Sequence, residues 1–176
     1  MNLWHDISAG KKTPEEITVI IEIPRGSNNK YEIDKETGLI ALDRVLHSAQ
    51  TFPFDYGFVP QTYWHDGDAL DVILLSTNPL PSGIVVHARP VAVMHMIDSG
   101  DNDDKIIAVP TDDPRWNDIK DLADVNAHTI KEIEPFYSTY KQLQKKEVKV
   151  TGFEGRDAAH TAIKEGIKLY QEKFTK

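Results

Sequence analysis

The sequence predicts a mainly β protein of the α+β class, a closed or nearly closed barrel flanked by two helices. Three observations carry that expectation. Through the first half, short apolar stretches alternate residue by residue and are separated by Gly and Pro. In the last third the apolar period changes to that of a helix. With 176 residues, the chain is long enough for one well-filled core and short for two. It reads as a single domain over 1–176, with a barrel core at about 14–110 and a helical and C-terminal part at about 111–176.

Ile17, Val19, Ile21 and Ile23 fall on one face of a first strand, with Thr18, Ile20 and Glu22 on the other. Pro24 and the run Gly26-Ser27-Asn28-Asn29 make a turn. Lys30 to Ile33 resumes as a strand, and Glu36-Thr37-Gly38 turns it into Leu39 to Leu46, a hairpin. Further strands are expected at Phe58 to Trp64, Asp71 to Ser76, Ile84 to Met96 and Lys105 to Val109, with a bend or bulge at Pro90. Ile130, Ile133, Tyr137 and Tyr140 have helical spacing, and Pro135 is expected to kink or split that helix. Val148 and Val150 mark a short strand. A final helix from about Asp157 aligns Ile163, Ile167, Tyr170 and Phe174 in one stripe.

Composition removes several classes of function. No apolar run reaches the roughly 20 residues of a membrane span, and the N-terminus lacks the layout of a secretory signal. Cysteine is absent, which excludes disulfides, thiol nucleophiles and thiolate metal sites and fits a cytoplasmic protein. The formal net charge of -8, with Lys and Arg spread thinly, argues against nucleic acid and acidic membranes as partners. An acidic protein can still bind a strongly anionic small molecule if divalent cations stand between them.

The sharpest local pattern is Asp66-Gly67-Asp68-Ala69-Leu70-Asp71, three carboxylates leading into Val72-Ile73-Leu74-Leu75. A second acidic group, Asp98-Ser99-Gly100-Asp101-Asn102-Asp103-Asp104, runs into Lys105 and another apolar strand. Either group alone reads more readily as a solvated turn. Facing one cavity, they would need hard divalent cations, because two carboxylates about 4 Å apart repel by roughly 4 kcal/mol. Neither is an EF-hand: the sixth loop position is Asp71 or Ile106 instead of Gly, and the twelfth is not Glu.

Lys30 and Glu32 share a strand face, and Arg44 points inward by parity with Leu42 and Leu46. As an inward Arg it needs an anionic partner, either a carboxylate of the chain or a phosphate. Seven His are scattered without zinc spacing, and His65, beside the first acidic group, fits a surface role better than a supporting one. No nucleophile elbow or phosphate-binding P-loop motif is present.

In this order the residues resemble the family I soluble inorganic pyrophosphatases. Asp66-Gly67-Asp68-x-x-Asp71-Val72 is similar to that family's signature. Val19-Ile20-Ile21-Glu22-Ile23-Pro24, Lys30-Tyr31-Glu32, Asp43-Arg44 and Pro53-x-x-Tyr56-Gly57 precede it. Arg89-Pro90-Val91, Met96-x-Asp98, Asp103-x-Lys105 and Phe136-Tyr137-x-x-Tyr140-Lys141 follow, so the likeness spans about Pro14 to Gly155.

The resemblance implies an OB-fold-like five-stranded barrel that hydrolyses pyrophosphate to two orthophosphates at its mouth, without a covalent intermediate. It implies Mg²⁺ as cofactor, several ions per site, with Mn²⁺ or Zn²⁺ as substitutes. Asp66, Asp71 and Asp103 would bind one activating ion, and Asp71 would be shared with a second. Asp98 and Asp103 would hold an ion arriving with substrate, and Glu32 would reach another through water. Asp68 would be the general base. Lys30, Arg44, Tyr56, Lys105, Tyr140 and Lys141 would grip phosphate oxygens, and Glu22 would tune the cavity. Assembly as a hexamer is implied by resemblance alone.

Three positions depart from the common pattern of the family. Phe52 stands where Tyr is frequent, Ser99 where Glu is common, and Ala69 in place of a Pro. Two rival readings are a non-catalytic OB-fold module for single-stranded nucleic acid and a broader metal-dependent phosphohydrolase. The first would need aromatics beside a basic groove, whereas the basic residues here are interleaved with carboxylates.

Overall fold

A computed structural model describes residues 1–175. Strand β1, Ile17–Ile23, is where alternation predicts it, but both of its faces are buried. Ile17, Val19 and Ile21 pack with Ala159, Ala162 and Ile163. On the opposite face Ile20 packs with Trp4, Phe58 and Tyr170. The apolar side chain at Ile20 belongs to this second covered face.

The hairpin β2, Asn29–Ile33, and β3, Ile40–Val45, forms a separate two-stranded sheet. The next strand differs from expectation: β4 is Asp55–Phe58, and residues 59–64 form loop and turn. Gly57 explains where the strand lies. It pairs with Ile21, and a Cβ on Gly57 would collide with the carbonyl of Ile20. The close backbone approach that closes β4 onto β1 requires glycine there.

After β5, Asp71–Leu74, comes the long β6, Val85–Asp98, whose pairing shifts between Pro90 and Ala92 as the proline predicts. A two-residue β7, Asp101–Asn102, then β8, Lys105–Pro110, complete this part. The ring closes in the order β1, β4, β5, β8, β6 and back to β1. It is the five-stranded OB-fold-like barrel that the resemblance implies. All these pairings are antiparallel except β5 with β8, which are parallel.

Helix α1, Ala127–Thr139, is capped by the Asn126 side chain and runs unbroken through Pro135. The expected split does not occur. Pro135 is exposed, whereas Ile133, Phe136 and Tyr137 of the same helix are buried among Phe52, Tyr56, Met94 and Met96. Tertiary packing outweighs the proline penalty. Strand β9, Val148–Gly155, is longer than predicted and pairs with β6 outside the ring.

Helix α2, Arg156–Phe174, starts one residue before the expected Asp157. Its first N–H, from Arg156, donates to Asp121, 35 residues earlier in sequence. No helix among the described residues is long and apolar enough to cross a membrane.

Candidate active site

The parallel pairing of β5 and β8 brings the two acidic groups together. Each group precedes one of these strands, so a parallel register sets both loops at the same end of the barrel. Asp71 and Lys105 are direct partners in that register. The antiparallel β6 delivers Asp98 to the same end. One oxygen each from Asp66, Asp71 and Asp103 lie within 4.8 Å of one another.

They face a cavity of about 350 Å³ that every predicted site residue lines except Arg44. Arg44 contacts the Asp43 carboxylate beside the cavity, on β3 opposite Lys30. Its Nε and Nη2 are buried and have no hydrogen-bond partner among the described residues. His65 pairs with Glu165 of α2 at 3.1 Å and does not line the cavity. Sequence reasoning passed over Lys35 and Lys146, which do line it, and gave no role to Asp101 of the second acidic group, which lines it too. Lys35 and Lys146 lie in turn and loop and Asp101 in the two-residue β7, and no local periodicity distinguishes them from solvated residues.

The first acidic loop is shaped by Gly67, whose φ of +92° suits the absence of a side chain. The Asp66 carboxylate accepts from the N–H of Asp68 at 3.1 Å, and Trp64 donates to the Asp68 carbonyl at 2.7 Å.

At the centre Lys105 is 1% exposed. Its ammonium donates to Tyr56 at 2.9 Å, Asp71 at 2.8 Å and Asp103 at 2.8 Å, which uses all three protons. Burial alone would lower its pKa. The charges of Asp103 and Asp71 outweigh burial and hold it well above the usual lysine value.

The other carboxylates of the cavity feel both burial and one another. Burial, then repulsion from Asp71 and Asp103, pushes Asp66 up to about 7. Glu22 is 5% exposed and accepts from the N–H of Ile33 at 2.8 Å. Burial first, then Asp71, raises it to about 8. Burial also raises Asp103, against the pull of Lys105.

At the rim Lys141 contacts Asp98, and Lys30 contacts Glu32 with Asp43 at 3.6 Å. Burial would raise Asp98, but the hydrogen bond and charge of Lys141 outweigh it and lower it. Desolvation, then Arg44, lowers Lys30. Tyr56 is raised well above the usual phenol value by burial and by Asp71, so it stays a neutral hydroxyl.

The donor set fits a hard divalent cation. It contains only carboxylate oxygens at the focus, and Asp66 and Glu22, raised by burial first and by the neighbouring Asp71 second, are groups whose charged form a cation would favour. Asp66, Asp71 and Asp103 are the residues that would hold such an ion.

At the three departures, Phe52 is buried with ring centroids 5.7 Å from Tyr56 and 5.0 Å from Phe136. Ala69 is buried at the cavity wall. Ser99 sits at φ +53° and donates its hydroxyl to Asp98 at 2.9 Å.

Fold and site define a class: a small barrel protein whose clustered carboxylate oxygens could hold a cation, facing a cavity rimmed by lysines and tyrosines. Comparison with known proteins gives the family. The family model described as inorganic pyrophosphatase matches residues 19–171. The chain is 47% identical to the inorganic pyrophosphatase of Haloferax volcanii over 175 residues, covering 99% of both chains. It is 45% identical to that of Picrophilus torridus over 172 residues, 98% of this chain and 97% of the relative. The crystal structure of inorganic pyrophosphatase from Thermus thermophilus superposes with a TM-score of 0.93 at 45% identity, covering 97% of this chain and 99% of that one. The chain belongs to the inorganic pyrophosphatase family.

Proposed function

We propose that this protein is a Mg²⁺-dependent inorganic diphosphatase that hydrolyses pyrophosphate to two orthophosphates by direct in-line attack of water. The observation that carries the reading is the meeting of Asp66, Asp71 and Asp103 beside the buried Lys105, in a chain of this family. Divalent cations held there would neutralise phosphoryl oxygens and lower the pKa of a coordinated water.

The chain's own groups supply the rest. Asp68, at the cavity and half exposed, accepts the proton of the attacking water as general base. Lys30, Lys141 and Lys105 meet phosphate oxygens, and Tyr56 and Tyr140 donate hydroxyl protons to them. Lys105 must exchange one of its three present partners to do so, and a cation shared by Asp71 and Asp103 is what would release it. Arg44 has two buried donors without a partner among the described residues, available for the same purpose. Glu32 and Asp98 supply further carboxylate oxygens at the rim, and Glu22 adjusts the charge beneath Lys30.

We read the 176 residues as one such domain, with cytoplasmic location and hexameric assembly carried from the resemblance. Phosphate release from pyrophosphate, ATP and p-nitrophenyl phosphate, compared at equal Mg²⁺, tests the substrate. Strong preference for pyrophosphate is expected, and equal rates would overturn the assignment in favour of a broader phosphohydrolase.

A further inference from the structure

Lys35 belongs to none of the motifs quoted above, yet it reaches the cavity. Its ammonium lies 2.5 Å from Oδ1 of Asp68 and donates to the carbonyl of Gly67 at 3.3 Å. It comes from the turn between β2 and β3, outside the barrel ring.

That turn is held from two sides. Internally, Asp34 Oδ1 accepts from the N–H of Glu36 at 3.1 Å, the N–H of Thr37 at 2.7 Å and the Thr37 hydroxyl at 2.8 Å. Externally, the N-terminal segment clamps it. Leu3 donates to the Gly38 carbonyl at 3.1 Å, and a Cβ on Gly38 would sit 2.6 Å from the Asn2 Cα.

Trp4 links the clamp to the acidic loop. Buried at 3% exposure, it lies 5.9 Å from the Lys35 ammonium at its ring centroid and donates its indole N–H to the Thr62 carbonyl at 2.8 Å. The Thr62 hydroxyl accepts from the N–H of Leu70 at 2.9 Å, on the far side of the Asp66–Asp68 turn. One aromatic residue thus packs under the lysine and braces the loop that carries its partner.

We propose that Lys35 is a positioning residue for Asp68: it pins Oδ1 and leaves Oδ2 aimed at the reacting water. The proposal rests on the reading of Asp68 as general base. The need for such a restraint follows from the side chain's setting. Asp68 is 54% exposed and follows the Gly67 turn, so a free carboxylate there samples several rotamers, of which few suit proton transfer. Lys35 is itself 57% exposed, so the restraint is moderate in strength.

The test is steady-state phosphate release from pyrophosphate at saturating Mg²⁺. Lys35→Met is expected to lower kcat by about fivefold, the scale of an exposed ion pair. KM should stay within about twofold, and Lys35→Arg should restore kcat to within about twofold of wild type. In the Asp68→Asn background, Lys35→Met should change kcat by less than about 1.5-fold, because its partner's function is gone.

A raised KM with unchanged kcat would overturn the proposal by making Lys35 a substrate contact. Unchanged or increased kcat, no rescue by Arg, or a full loss in the Asp68→Asn background would also overturn it. Near-normal turnover of Asp68→Asn alone would remove the base and this proposal with it. A crippled Asp68→Asn beside a normal Lys35→Met removes only the positioning role.

Discussion

Asp68 and Glu22 are both cavity carboxylates, and their surroundings separate their work. Asp68 is half exposed and paired with Lys35, whereas Glu22 is buried beside Lys30 with its pKa raised to about 8. Asp68→Asn keeps the shape and removes the proposed base, so turnover should fall by about 10²–10⁴-fold while Mg²⁺ still binds. Phosphate release and a calorimetric Mg²⁺ titration read the two halves of that expectation separately.

Glu22 gives a pH dependence of known sign. A carboxyl whose folded pKa lies above its unfolded value of 4.5 keeps its proton longer in the native state. Its contribution to stability is complete below that unfolded value and is lost as pH rises through about 8. Without metal, the melting temperature should therefore fall between pH 5 and 9 at a slope that Glu22→Gln reduces, as a set of thermal melts would show. An unchanged slope in that variant would mean that Glu22 is ionised in the metal-free protein.

The acidic groups of the candidate site stood out at strand starts against an alternating apolar background, but each alone read as a solvated turn, and only the resemblance joined them to one another and to the lysines and tyrosines. Lys35 did not stand out, since a lysine in a turn looks the same whether it faces solvent or a carboxylate.

Elements were legible where one face decides them and less so where packing does. The β1 alternation located the strand to the residue, yet its second buried face depends on Trp4, Phe58 and Tyr170 from distant segments. The β4 strand was misplaced downstream because its defining residue, Gly57, carries no side chain to show a period. Gly57→Ala drives a methyl into the Ile20 carbonyl, a backbone atom that cannot step aside. Urea denaturation should show a loss of about 1–3 kcal/mol.

Pro135 gives the opposite expectation. It is exposed inside an intact helix that packing holds in place, so its local penalty persists in the folded state. Pro135→Ala should stabilise the protein by about 1–2 kcal/mol, a helix gain of up to about 3 reduced by the freer unfolded chain. A loss of stability in the same denaturation experiment would show that the proline is itself packed to advantage.

At the scale of the whole molecule, the decisive feature is the single parallel contact between β5 and β8 in a ring otherwise antiparallel. It places the starts of both strands side by side, and both acidic loops with them. Periodicity cannot reveal this, because strand partners are not written in either strand's own pattern. The resemblance implied that the two loops meet, through the order of charged and aromatic residues along the chain, but the parallel pairing that brings them together is seen only in the fold. The same geometry gathers the carboxylates of Asp66, Asp71 and Asp103 around the buried Lys105.

Cation binding should then stabilise the fold by mass action, by about 2.7 kcal/mol at a hundredfold excess over Kd. The most direct measurement of the central claim is a calorimetric titration of Mg²⁺ into the wild-type protein and into Asp71→Asn, a change in the carboxylate that faces both loops. Binding that is reversed by chelator and weakened roughly tenfold or more by the substitution is the predicted result. Equal affinity in the two proteins would contradict a cation shared by the two aspartate loops.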